Sequence, residues 1–186
     1  MGCCNGAGTP INSFALVSYL PEPLAGFLDR LRTELVDQCR AKAHVTILPP
    51  RPLSCAAEQA WDTLGGQIHD FQPFSVELGQ VEIFPVTQVI YLAVKTGAAE
   101  LRALHTRLNS GTLAFEEPFV YHPHVTLAQD LEPSQVAAAF EKATARWKEF
   151  SHPRSFTVDR LTFVQNTLEN NWTDLRGCPL TTRVAI

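Results

Sequence analysis

One short motif, a histidine and a threonine two residues apart, occurs twice in the sequence. Residues 44–46 and residues 124–126 both read His-Val-Thr, each within an apolar segment. Side chains at positions i and i+2 of a β-strand point to the same face. Each copy therefore presents an imidazole and a hydroxyl side by side, while its valine points the other way, into the core. Two such faces across a cleft would surround one point with two imidazoles and two hydroxyls.

These groups are suited to phosphoryl transfer at a phosphodiester. Of His44 and His124, one neutral imidazole can take a proton from the attacking water, and the other, protonated, can give one to the leaving oxygen. The unperturbed pKa of histidine, about 6.5, lets both forms exist near neutral pH. The hydroxyls of Thr46 and Thr126 can donate hydrogen bonds to the non-bridging phosphate oxygens, where charge develops. The pattern predicts a phosphodiesterase that needs no metal and no other cofactor.

Hydrophobic periodicity and turn signals predict elements that place both motifs on strands. Strands are predicted at 13–20, 43–48, 74–84, 86–95, 119–128 and 156–165, an extended segment at 172–186, and helices at 23–39, 54–71, 98–108 and 133–150. The prolines at 49–50 are expected to end the first motif strand, and Ser54 is expected to cap the second helix.

The order β-α-β-α-β-β occurs twice, with the motifs in corresponding positions. It predicts an α+β fold of two duplicated lobes related by a pseudo-two-fold axis. Mainly antiparallel sheets would face a central cleft, with the helices on the outside. Residues 1–12 are expected to form a flexible leader and residues 13–186 a single domain.

The composition of the chain limits which binding partners are expected. The chain is 45% hydrophobic and 18% charged, and 15 basic against 19 acidic residues give a net charge of −4. This disfavours a broad nucleic-acid footprint but allows a local pocket for a small nucleotide or an RNA terminus. No segment resembles a membrane span or a secretory signal, and Gly6 stands where a myristoylation motif needs Ser or Thr. Five cysteines without metal or disulfide spacing predict reduced thiols in a cytoplasmic protein. The protein is expected to be a monomer.

Segments 43–48 (AHVTIL) and 123–128 (PHVTLA) resemble the paired motifs of the two-histidine (2H) phosphoesterase superfamily. The resemblance is in particular to the bacterial 2′-5′ RNA ligase and RNA 2′,3′-cyclic phosphodiesterase family. It implies cofactor-free hydrolysis of 2′,3′-cyclic phosphates, with reverse 2′-5′ ligation as a further activity. It also implies that His124 is the base that activates water and His44 the acid. Thr46 and Thr126 would bind the phosphate.

Three further residues are candidate substrate contacts, each with a structural alternative. Arg51 follows the first motif and could clamp a phosphate, or be a solvated loop arginine. His122 would share a face with His124 if the strand continues through Pro123, and would otherwise lie in the entering loop. Tyr121 could stack on a base, or pack in the core as aromatic residues before a strand commonly do.

Two other classes of function compete with the phosphodiesterase. A metal enzyme could use His44, His122 and His124 as ligands with Asp130 nearby, but the threonines would then be unexplained. A non-catalytic module could bind a nucleotide or an RNA end in the same cleft. Pure binding does not need a proton donor and acceptor pair, so the two histidines favour catalysis.

Overall fold

A computed structural model describes residues 8–37, 39 and 41–181. Within these ranges the fold is α+β, as predicted, with antiparallel strands and flanking helices. The elements are β1 Pro10–Tyr19, α1 Leu24–Leu35, β2 His44–Arg51, α2 Ala57–Ile68, β3 Phe74–Ile83, β4 Ile90–Thr96, α3 Ala98–Leu108, β5 His124–Ala128, α4 Pro133–Glu149, β6 Ser155–Val158, β7 Arg160–Thr167 and β8 Trp172–Pro179. None of the helices in the described ranges combines the length and apolar character that crossing a bilayer requires.

The strands form two four-stranded sheets. The first sheet has the order β2-β1-β7-β8 and the second the order β5-β4-β3-β6. The motif strands β2 and β5 are edge strands, and each follows its neighbour through one α-helix, as β1-α1-β2 and β4-α3-β5. A short 3-10 helix, Gly111–Leu113, also lies between α3 and β5. The matching positions of these two units agree with the predicted bilobal, pseudo-two-fold arrangement.

The lobes are nevertheless not the two halves of the sequence. The predicted single strand over 156–165 is two strands, with β6 at the edge of the second sheet and β7 inside the first. The chain changes sheets at Asp159, whose carbonyl accepts a hydrogen bond from Leu180 N–H at 2.7 Å. Alternating apolar residues report which faces are buried but not which sheet a strand joins, so the sequence could not show this break.

Pro49 and Pro50 do not end β2, contrary to the prediction. β2 continues to Arg51, and its pairing with β1 has a register shift opposite the prolines, between Phe14 and Leu16. An edge strand tolerates proline because its outer N–H groups have no partner strand, and a bulge absorbs the disrupted pairing. Because the strand continues past the bulge, Arg51 lies on β2 and not in a loop.

Other boundaries also differ from the predictions. Helix α2 begins after Ala56, so Ser54 is not its N-cap, and β5 begins only at His124, so residues 119–123 precede the strand. Strand β1 begins at Pro10, inside the predicted leader, and the Asn12 side chain hydrogen-bonds the backbone of Leu53 in both directions. The prediction for α3, 98–108, is confirmed. Residues 1–7 and 182–186 lie outside the described ranges.

One hydrophobic core spans both sheets and the helices that cover them. It includes Val45 and Ile47 of β2 and Val125 and Leu127 of β5, all at most 1% exposed. Since strand side chains alternate, the burial of these four residues turns the histidine and threonine of each motif to the opposite face. The core thus fixes the orientation of both motifs.

Candidate active site

The two motifs meet where β2 contacts β5. In each, the histidine and the threonine are half-buried while the residue between them is fully buried. The two imidazoles are close enough for a charge on His124 to depress the pKa of His44. The structure therefore brings His44, Thr46, His124 and Thr126 together, although they come from different sheets.

Each motif imidazole is held by the carbonyl two residues before it. Nδ1 of His44 lies 2.7 Å from the Lys42 carbonyl oxygen, and Nδ1 of His124 lies 2.6 Å from that of His122. A carbonyl oxygen can only accept, so Nδ1 carries the hydrogen in both rings. The neutral tautomer leaves Nε2 with a free lone pair, and neither Nε2 has a hydrogen-bond partner among the described residues. Both rings thus present the same nitrogen for proton transfer.

The threonine hydroxyls have no hydrogen-bond partner among the described residues either. Both side chains are half-buried on the same strand faces as the histidines. A half-buried hydroxyl without a partner is free to donate to a ligand oxygen. The arrangement offers an anion two hydroxyl donors and two imidazoles.

Burial lowers the pKa of both histidines. For His44 it lowers the pKa to about 4, a shift that the hydrogen bond to Lys42 opposes and that the Arg32 guanidinium and His124 reinforce. For His124 burial also lowers the pKa, opposed by the bond to the His122 carbonyl and reinforced by the His122 charge. Near neutral pH the free site holds two neutral imidazoles. An anion bound between them favours the protonated form and draws a proton onto one ring.

Sulfate binding is therefore expected to tighten as the pH falls from 8 to 5. The histidine pKa is low in the free site and higher in the complex. At a pH between these two pKa values, the binding of sulfate is accompanied by the uptake of one proton. The dissociation constant should then fall by up to about tenfold per pH unit in that interval. Isothermal titration calorimetry in buffers of different ionisation enthalpy measures both the affinity and the proton uptake. Sulfate remains a dianion throughout this range, so a pH-independent affinity without proton uptake would contradict this account.

Arg32, on α1, is a residue that the sequence analysis missed. It is 7% exposed, and its Nη1 donates to the Lys42 carbonyl at 3.2 Å, the same oxygen that holds His44. Its Nε is buried without a hydrogen-bond partner in the described structure. The Arg32 guanidinium and the His44 imidazole therefore share the Lys42 carbonyl oxygen. His124 has no such cation, since the His122 carbonyl accepts no second donor among the described residues. The only local signal was an arginine on the apolar face of a predicted helix.

Arg51 is buried on β2 and is not a solvated loop arginine. The side chain is 2% exposed. Nε donates to the Pro49 carbonyl at 3.0 Å, and Nη1 donates to Asn109 Oδ1 at 2.7 Å and to the Leu113 carbonyl at 2.9 Å. Nη2 donates to Glu117 Oε1 at 2.5 Å. With four donor contacts inside the protein, Arg51 acts as a buried anchor. The interpretation as a solvated loop arginine is wrong, and contact with a phosphate stays a prediction that these contacts do not support.

Tyr121 links the two motif segments. Its hydroxyl donates to the Thr46 carbonyl at 2.6 Å, and its ring stacks on His105 at 4.0 Å with the planes 3° apart. His105 Nε2–H in turn donates to Glu117 Oε1 at 2.9 Å, the oxygen that also binds Arg51. These contacts fasten the chain that leads into the second motif onto β2. These contacts support a structural role for Tyr121, and base stacking by its ring stays a prediction.

The second motif is flanked by aromatic rings. Phe84 and Tyr91 stack at 4.0 Å, and His124 lies nearly perpendicular to Phe84 at 5.1 Å. His122 is exposed and lies at 5.3 Å from Phe84, also nearly perpendicular. His122 belongs to the loop entering β5, beside the histidine it was predicted to accompany. Its contact with substrate stays a prediction.

The first motif has a polar flank instead. The Tyr19 ring lies edge-on to His44 at 6.4 Å, and its hydroxyl donates to Asp174 Oδ1 at 2.5 Å. The Lys42 ammonium lies 5.2 Å from the Tyr19 ring and 3.8 Å from Asp174 Oδ2. Asp174 is on β8, 155 residues from Tyr19, so no local pattern could have indicated this contact.

The rival interpretation of a histidine metal site has no supporting cluster. In the described part of the chain, no three His, Cys, Asp or Glu side chains gather in a way that could hold a metal ion. Nδ1 of both motif histidines is already taken by a carbonyl.

Comparisons with known proteins agree with this fold. The family model of the 2′-5′ RNA ligase superfamily matches residues 20–170. The chain belongs to the 2′-5′ RNA ligase superfamily.

Among its relatives, a protein of Geobacillus kaustophilus named "Putative phosphoesterase" is 23% identical over 169 residues, covering 86% of this chain and 91% of the relative. One of the same name from Geobacillus sp. strain WCH70 is 32% identical over 90 residues, covering 48% of this chain and 49% of the relative.

Solved structures show the same fold. Apo E. coli LigT aligns with a TM-score of 0.62 at 17% identity, covering 94% of this chain and all of that one, 100%. E. coli LigT complexed with 3′-AMP aligns with a TM-score of 0.63 at 17% identity, covering 92% of this chain and 99% of that one. At this identity the likeness establishes the fold alone. The family establishes a phosphoesterase class of enzyme and leaves the reaction open.

Proposed function

We propose that the protein is a metal-independent phosphodiesterase that opens 2′,3′-cyclic phosphates of small nucleotides or RNA ends. The observation that carries this proposal is the matched tautomer of the two motif imidazoles. Both rings have Nδ1–H fixed on a backbone carbonyl and Nε2 free. Such a pair can take one proton and give another across a single phosphate, as general acid–base catalysis requires. No bound group is needed to supply or remove the protons.

In the proposed reaction, water attacks the phosphorus of the cyclic diester. His124 Nε2 takes the proton of the attacking water, and the bond from phosphorus to one ribose oxygen breaks. His44, protonated once the anion is bound, gives its Nε2 proton to that oxygen. The product is a phosphate monoester on the other ribose oxygen, and the two imidazoles have exchanged protonation states. The assignment of base and acid follows the family resemblance. In 2′-5′ ligation a 5′-hydroxyl would attack the phosphorus in place of water, and the same bond to the ribose oxygen would break.

A nucleotide substrate is supported by the neighbours of the fold. E. coli LigT has been crystallised in complex with 3′-AMP, a nucleoside monophosphate. The charge balance of this chain, −4, supports a small nucleotide or an RNA end better than a long RNA. The monomeric state and the cytoplasmic location stay predictions.

A substrate panel tests the proposal. The protein would be incubated, with excess EDTA, with 2′,3′-cyclic AMP, 2′,3′-cyclic UMP, a short RNA ending in a 2′,3′-cyclic phosphate and a 2′-5′-linked dinucleotide. Phosphorus NMR then reads which ribose oxygen keeps the phosphate. We expect hydrolysis of at least one cyclic phosphate. If the protein binds 3′-AMP but leaves every substrate intact, it is instead a binding module, and the proposal fails.

Thr46→Val and Thr126→Val are each expected to lower kcat for the cyclic nucleotide by roughly 10- to 1000-fold. Each change removes one donor to a phosphate oxygen, which is the effect of losing one oxyanion donor, while the β-branched shape is kept. Steady-state kinetics would measure it. Thr157→Val is the matched control, because Thr157 is an exposed threonine on β6, at the far edge of the second sheet. Equal, small effects of all three changes would contradict phosphate binding by the motif threonines.

A further inference from the structure

A partly exposed aromatic ring lies beside the second motif without packing into either hydrophobic cluster. Phe84 immediately follows β3, and its ring is absent from the main core and from the small cluster on the first sheet. Burying a phenylalanine ring stabilises a fold, so one left half-exposed beside a reactive imidazole needs another explanation.

We propose that the outer face of Phe84, the face turned away from Tyr91, is the subsite for the base of the substrate nucleotide. This inference rests on the proposed function and specifies its substrate class: single nucleoside 2′,3′-cyclic phosphates, with little discrimination between bases.

Ring distances show that the two neighbouring histidines leave the outer face of Phe84 free. His124 lies 5.1 Å from Phe84 and 5.3 Å from Tyr91, although these two rings are stacked 4.0 Å apart. A ring on the outer face would be farther from Tyr91 than from Phe84 by about the stacking distance. His124 is nearly equidistant, so it lies beside the stacked pair. The same holds for His122, at 5.3 Å and 5.7 Å.

Contacts with Tyr91 and hydrogen bonds of its own backbone hold the Phe84 ring in place. Tyr91 beneath it is 4% exposed and donates its hydroxyl to Glu82 Oε2 at 2.9 Å. The Phe84 N–H donates to the Val89 carbonyl at 3.0 Å, and its carbonyl accepts from Gln88 N–H at 2.8 Å. A ring held in place in this way binds a planar partner at a small cost in conformational entropy.

The position of Phe84 fits a nucleoside cyclic phosphate. In such a compound one ribose separates the base from the phosphate. A base stacked on Phe84 therefore leaves its phosphate at the neighbouring His124, whose centroid is 5.1 Å from the Phe84 ring. Stacking accepts any base because every base has a π-face. The exposed imidazole of His122, beside the same stack, can hydrogen-bond the sugar or the edge of the base.

The opposite flank is less suited to a base. The Tyr19 ring already has the Lys42 ammonium 5.2 Å from its centroid, and its hydroxyl is bound to Asp174. Lys42 is itself paired with Asp174, and Arg51 is buried in its own cluster. A long RNA would need free cations along its backbone, so these pairings favour a single nucleotide over a strand.

The experiment compares ligands with and without a base. Adenosine 2′,3′-cyclic phosphate and the 2′,3′-cyclic phosphate of 1-O-methylribose would be assayed with the wild-type protein, Phe84→Ala, Phe84→Tyr and, as control, Leu168→Ala. Leu168 is an exposed apolar residue, 70% accessible, in the turn between β7 and β8. We expect Phe84→Ala to lower kcat/KM for the nucleotide by roughly 5- to 100-fold, mostly through KM, as loss of one base stack does. Activity on the methylriboside should change little, and Phe84→Tyr should retain nucleotide activity.

A binding measurement keeps this inference separate from the catalytic proposal. Calorimetry would give the affinities of 3′-AMP and of ribose 3-phosphate for the same variants. If no cyclic phosphate is hydrolysed but Phe84→Ala weakens 3′-AMP alone, the subsite stands and the proposed function fails. If Phe84→Ala impairs both kinds of ligand equally, the ring only supports His124 and the subsite is refuted. No effect on either kind would also refute it.

Discussion

His44→Ala and His124→Ala are each expected to lower kcat/KM for 2′,3′-cyclic AMP by roughly 10³- to 10⁴-fold, near the upper end of general acid–base effects. Each variant loses one of the two Nε2 atoms that exchange protons with the reacting oxygens. The partner histidine cannot replace it, because its Nδ1 is fixed on a carbonyl and its single Nε2 performs the other transfer. Steady-state kinetics in EDTA measures the loss, and each variant should also lose one limb of the pH–rate profile.

His69→Ala is the matched control for these two variants. Its imidazole is 67% exposed at the end of α2, outside the site, and its removal should leave kinetics unchanged. Circular dichroism and thermal unfolding would show that the motif variants remain folded. Activity within tenfold of the wild type in either motif variant would contradict the paired mechanism.

Arg51→Met is expected to lower the free energy of unfolding by about 3–5 kcal/mol, the usual loss when one partner of a buried ion pair is removed. The change leaves Glu117, whose side chain is 10% exposed, without the guanidinium that neutralises it. It also leaves Asn109 Oδ1 and the Leu113 carbonyl without their guanidinium donor. Urea unfolding followed by tryptophan fluorescence measures the loss.

Arg107→Met is the matched control, because Arg107 is 57% exposed and its ion pair with Asp70 spans 3.7 Å. Exposed pairs contribute about 1 kcal/mol or less, so this variant should stay near the wild type. Glu117→Gln added to Arg51→Met should recover part of the loss, since the uncompensated carboxylate is then absent. If Arg51→Met instead keeps the wild-type free energy of unfolding but raises KM for the cyclic nucleotide, Arg51 is a phosphate ligand.

The motif strands were predictable because their signal is local. Apolar residues alternating with His and Thr determine which face each side chain takes, whatever sheet the strand joins. Helix α3 was predictable for the same reason, since its apolar spacing and the Asn-Ser-Gly that follows are contiguous in the sequence. In both cases a few neighbouring residues carry the whole physical cause.

What the sequence could not show depends on distant partners. From the sequence, Arg51 resembles a cation in a loop. Only the structure shows that it is bound to Glu117, 66 residues away. Tyr121 resembles a core or stacking aromatic until its hydroxyl reaches the Thr46 carbonyl, 75 residues away. Phe84 fits a core position by composition alone, and only the ring distances show that neither neighbouring histidine lies on its outer face. Each of these arrangements depends on tertiary contacts.

The link from Tyr121 to Thr46 has a consequence for the motion of the molecule. The bond joins the segment entering one motif to the backbone inside the other, and the stack on His105 holds the same ring from its flat side. Hinged opening of the lobes would break this bond, so the distance between the two imidazoles is preset before a ligand arrives. We therefore expect a ligand to enter and leave the cleft without closure of the two lobes around it.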